Sequence, residues 1–137
     1  MKVEVLSYER LPDSGYWDAN WINARVEIKA RSFSGTYLAQ LQTLDFSQFK
    51  KGIESLYANL EGITQFNSME DWLKIIIRGD GIGHFDVECE ACDIPGTGNR
   101  LEFKMEIDQT EIPRLIDQLD DILTKFPVRG QPDSLKK

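Results

Sequence analysis

The chain has 137 residues, 41% of them hydrophobic and 28% charged, with a net charge of −7. That length is one domain with room for a real core, and that composition excludes wholesale disorder. Two cysteines exclude a disulfide scaffold, no run approaches the ~18 apolar residues of a membrane span, and the acidic balance argues against nucleic acid or an anionic membrane as direct partner.

The first 20 residues hold no apolar stretch of signal-peptide length, so the default location is cytoplasmic. Residues 2–6 alternate and read as a strand. Residues 10–20 have loop composition, with Pro12, Asp13, Ser14, Gly15, Asp18 and Asn20 around Tyr16 and Trp17. Residues 22–31 alternate strictly. Ile22, Ala24, Val26, Ile28 and Ala30 take one face; Asn23, Arg25, Glu27, Lys29 and Arg31 take the other. A turn at Phe33-Ser34 leads to a second long strand through Tyr37, Ala39 and Leu41, its hairpin partner.

The period changes at Thr43. Phe46, Phe49, Ile53, Leu56, Tyr57 and Leu60 recur at helical spacing. Thr43, or Asp45 with Gln48, can cap the helix start, and Gly62 ends it. Strands follow at 63–67, 72–78, 85–92 and 101–108, separated by the glycine-rich turns 79–83 and 95–99. A second helix carries Ile112, Leu115, Ile116, Leu119, Ile122, Leu123 and Phe126 on one stripe. Thr110 is the preferred N-cap because it leaves Pro113 in the first turn. Asp108 would instead form a D-x-x-E box with Glu111, with Pro113 one position deeper.

The expected fold is α+β: an antiparallel sheet of six to seven strands in a β-β-β-α pseudo-repeat, with two helices packed on it. Residues 1–130 make the domain and 131–137 a flexible tail. The halves correspond at an offset of 66: Phe46, Phe49, Ile53 and Leu56 fall on Ile112, Leu115, Leu119 and Ile122.

No catalytic or metal motif emerges. Cys89 and Cys92 lie three apart on a strand, on opposite faces and too far apart for a disulfide. One such pair with the single His84 does not make a zinc site. Gly79-x-Gly81-x-Gly83 precedes a strand and not a helix, so it lacks a phosphate-binding N-terminus. No metal, cofactor or catalytic residue is expected, and the protein is read as not an enzyme.

Two segments are candidate binding surfaces. Tyr16, Trp17 and Trp21 put three large aromatics into six residues. Asp86, Glu88, Glu90, Glu102 and Glu106 share the outward parity of neighbouring strands, in the half of the chain (67–137) that carries 9 basic and 15 acidic residues. If Arg25, Lys29 and Arg31 lie beside these carboxylates, the field cancels and the aromatic segment becomes the candidate.

Tyr16-Trp17-Asp18-Ala19-Asn20-Trp21, Phe33-x-Gly35, Gly98-Asn99-Arg100-Leu101, Asp108-Gln109-Thr110 and Phe126-Pro127-Val128-Arg129-Gly130 occur in this order. Together, over roughly residues 14–130, they resemble the WapI-type immunity proteins of bacterial polymorphic toxin systems. The resemblance implies a cytoplasmic antidote that binds and blocks the C-terminal toxin domain of a large exported protein. An RNA-cutting toxin with a basic surface would suit the acidic balance. It carries over no catalytic residues. The alternative is a non-catalytic module binding a small ligand or peptide on the aromatic segment.

Overall fold

The period-two segments pair as their alternation requires. In the computed structural model, which describes residues 1–130, strands β1 (Lys2–Tyr8), β2 (Trp21–Ala30) and β3 (Phe33–Gln42) form one antiparallel sheet in that order. Strands β4 (Glu61–Asn67), β5 (Leu73–Asp80), β6 (His84–Cys92) and β7 (Arg100–Asp108) form a second antiparallel meander. A one-turn helix α1 (Tyr16–Ala19) precedes β2, and the long helices α2 (Thr43–Asn59) and α3 (Ile112–Lys125) each follow a sheet. The fold is therefore α+β, with seven strands divided three and four. The tail assigned to 131–137 lies outside the described residues. No helix among the described residues is long and apolar enough to cross a membrane.

One core joins both sheets and both long helices. Ile22, Ala24, Val26 and Ile28 of β2 are buried, as are Leu73, Ile75 and Ile77 of β5 and Phe85, Val87 and Cys89 of β6. Helix α2 adds Phe46, Phe49, Ile53 and Leu56, with Phe46 and Phe49 both packing against Phe66 of β4. Burying side chains of this size stabilises by roughly 1.5–3 kcal/mol each, before the cost of ordering the chain. Helix α3 buries only Ile112 and Leu119 fully; Leu115, Ile116, Ile122 and Leu123 are half-covered.

The structure corrects the expected boundaries at several places. The β2–β3 turn is Arg31-Ser32, not Phe33-Ser34: Ala30 pairs with Phe33 and Arg31 adopts a left-handed φ of 55°. Strand pairing thus runs to the very end of the hairpin. Helix α2 ends at Leu60, not Gly62. Leu60 takes the left-handed φ of 62° and donates its N–H to the Leu56 carbonyl. The chain enters β4 at once, so Gly62 lies within the strand. Tyr57 of the expected stripe is exposed.

The caps also differ. No side chain caps α2, neither Thr43 nor Asp45; the Thr43 N–H is satisfied by the Asn20 carbonyl at 3.0 Å. Before α3, Asp108 and not Thr110 is the cap. Its side chain accepts from Thr110 N–H, and Glu111 reaches back to the Asp108 N–H at 3.0 Å. A 3-10 turn (Gln109–Glu111) inserted between cap and helix resolves the difficulty with Pro113, which then stands at the start of α3.

Candidate functional site

The aromatic segment is not a loop but the short helix α1, held by a buried amide. Asn20 is fully buried. Its Nδ2 donates to the carbonyls of Tyr16 at 2.7 Å and Arg129 at 3.0 Å. Its Oδ1 accepts from the Thr43 hydroxyl and from the Arg129 N–H, both at 2.7 Å. Both donors and both acceptor positions of the amide are used. Arg129 adds its guanidinium, which donates to the Arg10 carbonyl at 3.0 Å and stacks on the Tyr8 ring, 3.3 Å from its centroid. Tyr8 donates to the Pro127 carbonyl and meets Phe126 edge-on at 5.4 Å. Two segments 109 residues apart in sequence are thereby locked together.

Most of the short motifs have this kind of role. Asn99 donates its N–H to Asp93 at 2.7 Å, Asp108 caps the turn before α3, and Gln109 N–H bonds the Gly83 carbonyl at 2.9 Å. Trp17 is different. It is 52% exposed, stacked edge-on to Tyr16 at 5.5 Å, while its carbonyl is held at 3.0 Å by the buried Gln42 amide. It is an outward aromatic on a rigid mount. Tyr16 and Trp21 are half-buried.

The five predicted carboxylates do share one face, the outer side of the β4–β7 sheet. The register sets Asp86 opposite Glu106 and Glu90 opposite Glu102. Arg25, Lys29 and Arg31 are not beside them. Arg25 and Lys29 belong to the other sheet and Arg31 to its hairpin turn, and Arg25 pairs with Glu4 at 2.7 Å. The offset comes instead from the same sheet. Glu88 pairs with Arg78 at 2.8 Å and lies 3.9 Å from Lys104, and Glu90 pairs with Arg100. The Arg78 guanidinium holds the Glu88 carboxyl below its usual range. Among the described residues Asp86, Glu102 and Glu106 have no ion-pair partner. Like charges placed directly opposite cost stability; Arg78 and Lys74 of β5 stand in register with Asp86 and Glu90 and offset part of this charge, which leaves Glu102 and Glu106 on the edge strand β7 without an ion pair. The exposed Ile63 lies on the same face, in register with Arg78.

Of the cysteines, Cys89 is in the core, where burial pushes its thiol up to about 11. Cys92 is buried and donates to the Ile94 carbonyl at 3.1 Å. Among the described residues no three His, Cys, Asp or Glu side chains gather as metal ligands. His84 is exposed and pairs with Asp80 at the β5–β6 turn. A cavity of about 540 Å³ opens between β1, α2 and α3, with Phe46, Phe49, Leu119 and Phe126 in its wall. It includes none of Tyr16, Trp17 or Trp21, so it is not the aromatic-segment pocket of the alternative reading.

Asp45, expected only as a possible cap of the helix, has a different part in the structure. It sits in the first turn of α2 with Oδ2 buried and without a hydrogen-bond partner, and burial pushes its carboxyl up to about 6. The folded state therefore binds its proton more tightly than the unfolded chain. The penalty is present in full above about pH 6 and disappears as pH falls toward the ordinary value of 3.8. Asp45→Asn is expected to stabilise the protein at pH 7.5 by on the order of 1–2 kcal/mol, allowing for partial solvent screening. It should give no gain at pH 4. Urea denaturation at the two pH values tests this.

Comparison with known families supplies the class of this protein. A family model described as the Immunity protein WapI-like family matches residues 1–127. The chain belongs to the WapI-like immunity protein family. No curated protein matches it. Among solved structures it is similar to one described as crystal structures of Trypanosoma brucei MRP1/MRP2, at 11% identity and a TM-score of 0.44, over 91% of this chain and 86% of that one.

Proposed function

We propose that this immunity protein acts in the cytoplasm, without catalysis of its own, by binding a basic toxin domain through the outer face of the β4–β7 sheet. An RNA-cutting toxin fits this reading, because the carboxylates would occupy the surface with which such a toxin holds phosphates. The observation that carries it is the pair of like-charged rows, Asp86 opposite Glu106 and Glu90 opposite Glu102, of which only Glu90 is ion-paired, although Arg78 and Lys74 of β5 stand in register with Asp86 and Glu90. An external basic surface would relieve that repulsion, and the exposed Ile63 gives it an apolar contact.

Because Glu88 and Glu90 are already ion-paired, the informative residues are the unpaired ones. The double variant Asp86→Lys/Glu106→Lys is expected to slow association with the cognate toxin about 10- to 100-fold at low salt, and far less at high salt. Stopped-flow association at two ionic strengths reads this, and co-expression with the toxin reads protection of the cell. The second reading rests on the exposed Trp17. If association is unchanged at both salts while Trp17→Ala abolishes binding, the toxin docks on α1, since buried aromatic anchors act mainly on dissociation.

A further inference from the structure

Four strands stand at sheet edges: β1, β3, β4 and β7. Edges expose unpaired N–H and C=O groups, and proteins blunt them with bulges, charges or irregular backbone. Three of the four are blunted here. β1 has a register shift between Val5 and Ser7 and carries Lys2 and Glu4. β4 begins with Glu61 and Gly62, the latter at a φ of 120°. β7 has Arg100, Glu102, Lys104, Glu106 and Asp108 among its nine residues.

β3 has none of these devices. Its ten residues, Phe33 to Gln42, include no charge and no proline, in a chain that is 28% charged. Its pairing with β2 runs through ten consecutive partners without a bulge. Alternate residues therefore turn their N–H and C=O groups outward. Among the described residues no turn, loop or cap backbone bond reaches residues 33–42. Residues 33–36 are all exposed; Phe33 is 67% and Leu38 63% exposed.

We propose that the free edge of β3 is a self-association surface, where β3 of a second copy adds antiparallel about a two-fold axis to make a continuous six-stranded sheet. An uncharged strand is what favours a second copy over a basic toxin. The strand has no carboxylate of its own to select a basic strand, the nearest being Glu9, held by the Gln40 amide at 2.7 Å, whereas in a self-pair β3 sets no like charges of its own opposite each other in any register. It also lies in the nearly neutral half of the chain: residues 1–66 carry 7 basic and 8 acidic side chains, so two copies meet without strong repulsion. Leu38 of each copy would be covered on the outer face. This inference does not rest on the toxin reading, and it leaves the β4–β7 face free.

The test is the solution mass of the full chain by sedimentation equilibrium from low to high micromolar concentration, for the wild type, Leu38→Lys and Thr36→Lys. Both substituted positions are exposed, so each variant should keep the monomer fold, checked by circular dichroism. The wild type is expected to reach twice the monomer mass. Each variant should weaken the dimer about tenfold or more, because the two-fold axis applies the change twice. Amide exchange of the wild type at two concentrations should show protection of residues 33–40 that grows with concentration, which keeps the proposal testable if a variant misfolds. A wild type that is monomeric throughout overturns it, as does a dimer equally stable in both variants. A monomer whose toxin binding is lost in Leu38→Lys also overturns it, and assigns the edge to the toxin. Asp86→Lys/Glu106→Lys should leave the dimer intact, so failure of the toxin reading and failure of this one are separable.

Discussion

Asn20→Ala is expected to cost about 2–4 kcal/mol of stability, the range for breaking a buried hydrogen-bond network. The change removes all four bonds of the amide and leaves the Thr43 hydroxyl and the Arg129 N–H without their acceptor. It also frees the end of α1, where the Tyr16 carbonyl was held, and the 126–130 segment. In thermal unfolding this should appear as a drop of about 10 °C in the midpoint. Asn20→Asp should be nearly as damaging although it keeps the shape. Its carboxylate would face the carbonyl oxygens of Tyr16 and Arg129, which accept hydrogen bonds and cannot donate them. If the packing of α1 depended on shape alone, the aspartate variant would melt near the wild type. Trp17 serves as a reporter: its fluorescence should shift in both variants before global unfolding.

The second large effect is at Gly52, in the middle of α2. On propensity alone Gly52→Ala should stabilise a helix by about 1 kcal/mol. Here the added Cβ would lie 1.8 Å from Thr64 Oγ1 and 2.8 Å from Thr64 Cβ. Thr64 is β-branched and stiff, so the helix must move off β4 to make room. The expected net result is a loss of about 1–3 kcal/mol. Thr64→Gly clears the contact, and in that background Gly52→Ala should become neutral or stabilising. Urea unfolding of the four proteins in this double-mutant cycle measures the coupling. Additive effects would mean that α2 and β4 are not in the close contact described here.

The physical source of that contact is the connection. Leu60 reverses the chain in a single left-handed residue, and its carbonyl accepts the Gly81 N–H at 2.9 Å. Helix and strand therefore lie directly on each other, with only a glycine small enough to fit at the crossing.

Much of this architecture was legible in the residues. Strict alternation at 22–30, 85–91 and 101–107 assigned both strand state and inward face, because a period of two leaves one side of a pleat apolar. The change of period at Thr43 and again before Ile112 located both long helices, and parity alone placed Asp86, Glu88, Glu90, Glu102 and Glu106 on one outer face. The uncharged run from Phe33 to Gln42 was also on view, but a strand without charges reads the same whether it is central or at an edge.

What the residues could not decide was which strands are neighbours. Hydrogen bonding between strands is indifferent to side-chain identity, so the division into sheets of three and four came only from the tertiary structure. That division removed Arg25, Lys29 and Arg31 from the acidic face and substituted Arg78, Lys104 and Arg100. The role of Asn20 was hidden for a related reason. Its partners Thr43 and Arg129 are 23 and 109 residues away, and only the closing of the chain on itself brings a buried amide to the groups that saturate it. Local pattern determined the elements and their faces; the long-range pairings decided which charges are cancelled, which aromatic is left outside and which edge is left open.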